Sequence, residues 1–454
     1  MRGVTSMPAA EDLTARVRAL APWLRATLEG LVRQPSISAG MDPAPLRSTA
    51  EAVATLFREA GASARLLELP DAPPAVLAEA AGPPGAPTVL LYAHYDVQPA
   101  GDLQAWSTPP FEPVERGGRL YARGASDDKA GVVTHLGALR AFEGTPPVNL
   151  KIFIEGEEEL GSPHLTAFLE AHRDALAADV IVIADLEHMA VGQPALTTSL
   201  RGVVDCYVEL RVLEAGVHSG QFGGPLPDAL SALSRLLASL HHDDGTPAIE
   251  GLRSSPPASA GAVAEPSEAD LRSHAGALPG VHLLGEGPLS NRLWRTPAIA
   301  VLAIDAPSVA DAVNLLVASG RAKVSVRLAP GDEPARAMDA LVAHLETHAP
   351  WGAQVTVTRG AHAWPFEVNT AGPAFDAFRE GIRAAWGVEA LEMGMGGTVP
   401  FVAEIAQAFP QATVVLTGVG DPTSHAHGPD ESQDLRELER NVLAEVIALT
   451  RLAQ

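Results

Sequence analysis

One cysteine, Cys206, occurs in the 454 residues of this chain, so no disulfide can form within it. It falls in an alternating run, VVDCYVEL, and reads as a small strand or core residue. Positive charge is also scarce: 32 Lys and Arg stand against 55 Asp and Glu, a formal net charge of −23 at pH 7. Nucleic-acid and anionic-membrane partners need clustered cations, and this balance argues against both. No stretch approaches the roughly 20 apolar residues that span a bilayer. The opening MRGVTSMPAAEDLTARV lacks the apolar core of a secretory signal. A cytoplasmic protein is therefore expected. No internal repeat is visible either. What remains is ordinary globular composition, 46% hydrophobic and 19% charged, at a length that implies two domains.

Helical periodicity runs over residues 11–35 and 45–61. A strand at 86–93, a helix at 129–142, a strand at 149–155, a helix at 163–176 and a buried strand at 179–184 follow. Such alternation predicts an α/β fold, with a parallel or mixed sheet covered by helices. Near residue 199 the texture changes. RGVVDCYVELRV alternates at period two, as a half-exposed antiparallel strand does, and PLPDALSALSRLLASLHH reads as a helix. Residues 243–290 are rich in Pro, Gly and Ser and look like a long insertion with short helices. AIAVLAIDA, AKVSVRLAP, EPARAMDALVAHLETHA and QVTVTRG then make a compact α/β unit before a strongly apolar strand, ATVVLTGV. The expected organisation is a discontinuous catalytic domain, 1–198 plus 364–454, interrupted by an inserted domain, 199–363.

Several apolar runs end in metal-ligand residue types: APTVLLYAHYD, NLKIFIEGEEE, DVIVIAD and TVVLTGVGDPTSHAH. Strand ends and the turns after them thus offer His94, Asp127, Glu158, Glu159, Asp185 and His427 to one sheet edge. Zinc takes imidazole and carboxylate ligands, and two neighbouring metals need a bridging ligand that a carboxylate supplies.

The strings HYDVQP, RGASDDKAG, EGEEELGS, VHSGQFGG, SVRLAPG and HAHGPDE, in this order, resemble those of the aminoacylase, carnosinase and carboxypeptidase G family of dinuclear zinc peptidases. The resemblance covers essentially the whole chain apart from 243–290. It implies a zinc-peptidase-like catalytic domain with a mixed sheet, and an inserted α+β lid that forms a homodimer. It implies two divalent metals per chain, zinc first, with manganese or cobalt as alternatives, and no other cofactor. His94 and Asp185 would serve one metal, His427 and Glu159 the other, with Asp127 bridging. Glu158 would be the general base that takes a proton from the metal-bridging water and returns it to the leaving amine. Asp96 would accept the other N–H of His94 and fix its tautomer. Asp127 and Asp128 would be joined by a cis peptide. By the same resemblance His218 reaches the partner subunit's site to stabilise the oxyanion, Arg327 binds the substrate's carboxylate, and Gly397 and Thr398 line the pocket.

Other candidates read as structural. Glu155 and Glu157 belong to a solvated or supporting acidic face. His135, His164 and His188 are helix or packing histidines, and HHDD at 241–244 is a solvated helix end. Asp185 is favoured over Glu187, and His427 over His425. In this family an Asp at the position of Asp185 accompanies dipeptidases, so cleavage of dipeptides or short peptides is expected. The alternatives are an N-acyl-amino-acid deacylase of the succinyl-diaminopimelate or acetylornithine type, and an inactive peptide-binding relative. No ligand or base is missing, which argues against the last.

Overall fold

Strand Thr88–His94 is apolar at successive positions because both of its faces are covered. Val89, Leu91 and Ala93 point into one core, and Leu90 and Tyr92 into the other. In the computed structural model, which describes residues 10–40, 43–256 and 263–454, this strand lies inside a nine-stranded sheet. The order is Ser63–Leu67, Ala75–Ala80, Asn149–Glu155, Thr88–His94, Val180–Glu187, Thr413–Gly420, Ala195–Leu200 and Phe366–Glu367, with Leu391–Met395 also paired to Ala195–Leu200. The central strands, from Asn149–Glu155 to Thr413–Gly420, are parallel and end at one edge. Helices Ala10–Val32, Pro43–Glu59, Lys129–Ala141, Pro373–Trp386 and Leu435–Leu452 cover one face. Leu165–Ala171 and Pro400–Ala408 cover the other.

A separate antiparallel sheet has the order Ala298–Asp305, Ser319–Leu328, Gly202–Arg211, Gln354–Ala363. The period-two run through Cys206 is its strand Gly202–Arg211. Val204, Cys206, Val208 and Leu210 pack in the core under helices Ala229–Ala238 and Pro334–Thr347, while the residues between them are partly exposed. The fold is α/β, with a mixed central sheet and this second sheet beside it.

Some expectations change. The helix read at 163–176 is two, Leu165–Ala171 and Arg173–Leu176, because His172 at φ −123 and ψ 24 leaves the helical region. The strand read at 179–184 runs on to Glu187, so Asp185 lies within it and does not end it. The stretch 243–290 carries the short helix Glu268–His274, in keeping with an insertion of short helices, and its end docks on the large sheet. Val263 bridges Glu392, and helix Leu289–Trp294 packs on strand Leu391–Met395 of the large sheet. Strands Ser63–Leu67, Ala75–Ala80 and Ala195–Leu200 were not foreseen. The reading of residues 1–9 as free of a signal, and of positions 257–262 as insertion, falls outside the described residues. Among the described residues no helix is long and apolar enough to cross a membrane.

Candidate metal centre

Parallel strands that stop at one edge leave their following turns to fill the crevice there. His94 closes Thr88–His94, Asp185 lies near the end of Val180–Glu187, and Glu158 and Glu159 open a short turn after Asn149–Glu155. Asp127 immediately precedes Asp128, the cap of helix Lys129–Ala141, and His427 lies in the loop after Thr413–Gly420. The side chains gather into two groups, His94 with Glu158 and Asp185, and Asp127 with Glu159 and His427, the ligand atoms of each lying within 4.8 Å of one another. Asp127 touches both. Its Oδ1 is 3.0 Å from His94 Nε2 and its Oδ2 is 3.0 Å from His427 Nε2. The adjacent glutamates diverge: Glu158 Oε2 is 3.8 Å from His94 Nε2, whereas Glu159 Oε2 is 3.0 Å from His427 Nε2.

The electrostatics are those of a crowded anionic site. Burial and the surrounding carboxylates push Glu158 and Asp128 well above their ordinary values, and burial brings Asp185 to about 6. Asp127 is lowered instead, because its hydrogen bonds to His427 and His94 outweigh burial. Burial opposes charge on His94, yet Asp185, Asp127 and Asp96 raise it well above its ordinary value. Hydrogen bonds to Asp127 and Glu159 push His427 up to about 10. Among the described residues no Arg or Lys pairs with Asp127, Glu158, Glu159 or Asp185. Imidazole nitrogen and carboxylate oxygen, buried together without a protein cation, suit divalent metals.

Backbone donors hold the carboxylates. Asp96 accepts the N–H groups of Glu158 and Glu159, each at 3.1 Å, which fixes the turn that splays them. Its relation to His94 differs in detail from the expectation. His94 Nδ1 lies 3.1 Å from the main-chain oxygen of Asp96 and 3.3 Å from its Oδ1, so the backbone shares the orienting role. Gln98 donates its main-chain N–H and side-chain amide to the Glu159 carboxylate at 3.1 and 2.8 Å. The Asp127–Asp128 peptide is cis, as the resemblance implied. Asp128 then accepts the N–H of His94 at 3.1 Å and of Gly131 at 3.2 Å.

Among the described residues, the remaining candidates are bonded to other partners than these ligand groups. Arg327 Nη1 donates to Thr398 Oγ1 at 2.6 Å, joining the smaller sheet to the glycine-rich turn that includes Gly397. Arg201, which the sequence did not single out, donates from Nε to the Gly396 carbonyl at 3.0 Å. Burial and the charge of Arg327 lower it to about 10. His218 is exposed, accepts the N–H of Gly220 at 3.1 Å, and pairs in a short ladder with Leu315. Glu155 and Glu157 are not solvated. Both are buried, Glu155 bonded by Tyr92 Oη at 2.7 Å and Glu157 beside His164 Nδ1 at 2.9 Å. Burial brings Glu155 to about 8. His135 is buried between Glu445 and the Tyr92 carbonyl, and His188 bonds Asn441, both packing histidines as read.

The sequence profile of Peptidase family M20/M25/M40 matches residues 90–450. The chain is 38% identical over 367 residues to a cysteinylglycine-S-conjugate dipeptidase of Corynebacterium striatum, covering 79% of this chain and 80% of that one. It is 30% identical over 378 residues to a β-Ala-His dipeptidase of Rattus norvegicus, covering 79% and 76%. The crystal structure of human carnosine dipeptidase 1 superimposes with a TM-score of 0.78 at 26% identity, over 98% of this chain and 99% of that one.

Proposed function

Because the chain belongs to peptidase family M20/M25/M40, we propose that it is a two-metal dipeptidase, hydrolysing the amide bond of dipeptides and short peptides with a free C-terminus. The observation that carries this reading is the pair of ligand groups meeting at Asp127. His94 and Asp185 would hold one divalent cation, Glu159 and His427 the other, and Asp127 both, with zinc as the metal. Such a pair supplies Lewis acidity to the scissile carbonyl and to water. Glu158, raised by burial, keeps an affinity for protons suited to taking one from the attacking water and giving it to the departing amine nitrogen. Asp96 and Gln98 hold Glu158 and Glu159 in their separate orientations. Arg327 binds the terminal carboxylate, beside the turn carrying Gly397 and Thr398. Dipeptides as substrates follow the named activities of the relatives.

The active unit is a homodimer in this reading. Strand Ala298–Asp305 is a sheet edge with Val301, Leu302 and Ile304 exposed, and unpaired apolar edges of this kind invite a partner strand. Val309, 95% exposed, and Val313 lie in the connection to Leu315, which pairs with His218. A partner docked along this edge would cover the patch and meet His218, which supports its action on the other subunit's oxyanion.

The test combines metal content per chain with turnover on a panel of dipeptides, N-acetyl and N-succinyl amino acids. About two metals per chain with dipeptide cleavage are expected. Deacylation without dipeptide cleavage overturns the substrate, activity that survives chelation overturns the metals, and a monomer by light scattering overturns the dimer.

A further inference from the structure

Behind Asp127 and His427 lies a buried ion pair that holds both residues by their main chains. Arg123 and Glu431 are 1% and 0% exposed, and Arg123 Nη1 is 2.6 Å from Glu431 Oε2. The carboxylate also accepts main-chain N–H groups: Gly124 on Oε2 at 2.9 Å, and Ser126 and Asp127 on Oε1 at 3.0 and 3.1 Å. All its bonds thus gather the turn that delivers Asp127. Across the pair, Arg123 Nη2 donates to the carbonyls of His427 at 3.0 Å, Gly428 at 3.2 Å and Pro99 at 3.4 Å. Its guanidinium lies 5.3 Å from the centre of the Trp106 ring.

The His427 loop needs such a hold. His425, His427 and Asp430 have φ of 55, 63 and 55°, a region few side-chain-bearing residues adopt. The His427 side chain is 57% exposed, so packing does little to confine it. Glu159 has its own anchor in Gln98. For Asp127 and His427 the common anchor is Arg123 with Glu431, which ties two segments some three hundred residues apart in sequence.

We propose that Arg123 and Glu431 are positioning residues that set the metal affinity of the Asp127, Glu159 and His427 group, and bear less on the site of His94 and Asp185, which shares Asp127 but not His427. The proposal rests on the two-metal reading above. Groups that orient metal ligands from behind typically change affinity by about 10–100-fold when altered. Glu431→Gln keeps the shape but removes the charge facing Arg123. Arg123→Lys keeps the charge but loses the planar fork that reaches both sides.

The experiment strips the protein with a chelator and titrates Zn2+ back by calorimetry, for the wild type, Glu431→Gln and Arg123→Lys. Unfolding midpoints of the stripped proteins report stability separately. Two sites in the wild type are expected, with one weakened about 10–100-fold in each variant and the other, which shares only Asp127 with it, weakened less. Equal weakening of both sites, or unchanged affinities beside a lowered midpoint, would overturn the proposal, since the pair would then be structural only. Should Glu431→Gln fail to fold, Arg123→Lys alone decides. A wild-type titration with fewer than two sites instead removes the two-metal reading, and that result is read before any variant is made.

Discussion

Replacing Gly131 with alanine adds one methyl group at the point where three segments carrying candidate ligands meet. A Cβ built there falls against the carbonyl oxygen of Ala184 and both carboxylate oxygens of Asp128. Ala184 precedes Asp185, and Asp128 follows Asp127 and holds the N–H of His94. Carbon and oxygen ordinarily approach to about 3.3–3.6 Å, so relief requires a shift on the order of 1 Å. In a free helix the substitution would stabilise by about 0.5–1 kcal/mol. Here overpacking costs about 1–3 kcal/mol, leaving a net loss of roughly 1–2 kcal/mol. The functional cost is larger, because a displacement near 1 Å in a catalytic constellation lowers the rate by about 10²-fold. Gly30 is the control: it is in helix Ala10–Val32, with nothing within 4 Å of its Cβ, and Gly30→Ala should be slightly more stable and fully active. Unfolding midpoint, metal content and kcat/KM are measured on both. A Gly131→Ala protein with wild-type turnover and metal content would refute the reasoning, whatever its stability.

Glu158→Gln should lower kcat by about 10²–10⁴-fold while metal content stays at the wild-type level; unaltered turnover would remove it as the base. His135, raised by Glu445 and the Tyr92 carbonyl against the opposing effect of burial, contributes stability that is complete below about pH 6.5 and fades as pH climbs through its folded value. The midpoint difference between wild type and His135→Gln should therefore be larger at about pH 6 than at about pH 9, and a pH-independent difference would contradict the linkage. Cys206 is buried, and burial pushes its thiol up to about 12, so it should resist thiol reagents in the native protein and react once unfolded; rapid native labelling would show the smaller sheet to be open.

Much of this was legible because the same strands that build the core also deliver the candidate ligands. The run VLLYA announces a strand covered on both faces, and His94 lies where that pattern stops. DVIVIAD gives Asp185 in the same way, although the strand runs two residues further. Less visible were residues whose effect passes through another segment's backbone. Nothing in the spacing of Arg123 or Glu431 says that they meet, since apart from each other their partners are main-chain N–H and C=O groups, which nearly all residues carry. For Glu155 and Glu157 the solvated half of the reading fails for a related reason. An acidic run looks solvated until Tyr92 and His164 are seen to bond it from distant or unforeseen positions. The docking of Val263 and helix Leu289–Trp294 on the large sheet was hidden by a Pro- and Ser-rich composition without periodicity.

The place of Thr413–Gly420 in the sheet bears on how the protein is made. It lies between Val180–Glu187 and Ala195–Leu200, strands synthesised more than two hundred residues earlier. Until it emerges from the ribosome, Val180–Glu187 has an open side in the middle of what will be the sheet, a template for mispairing. The same late strand leads into the loop of His427. Closure of the sheet and gathering of the candidate ligands therefore wait for this strand, and a chain stalled before residue 413 would carry an exposed strand edge and lack His427.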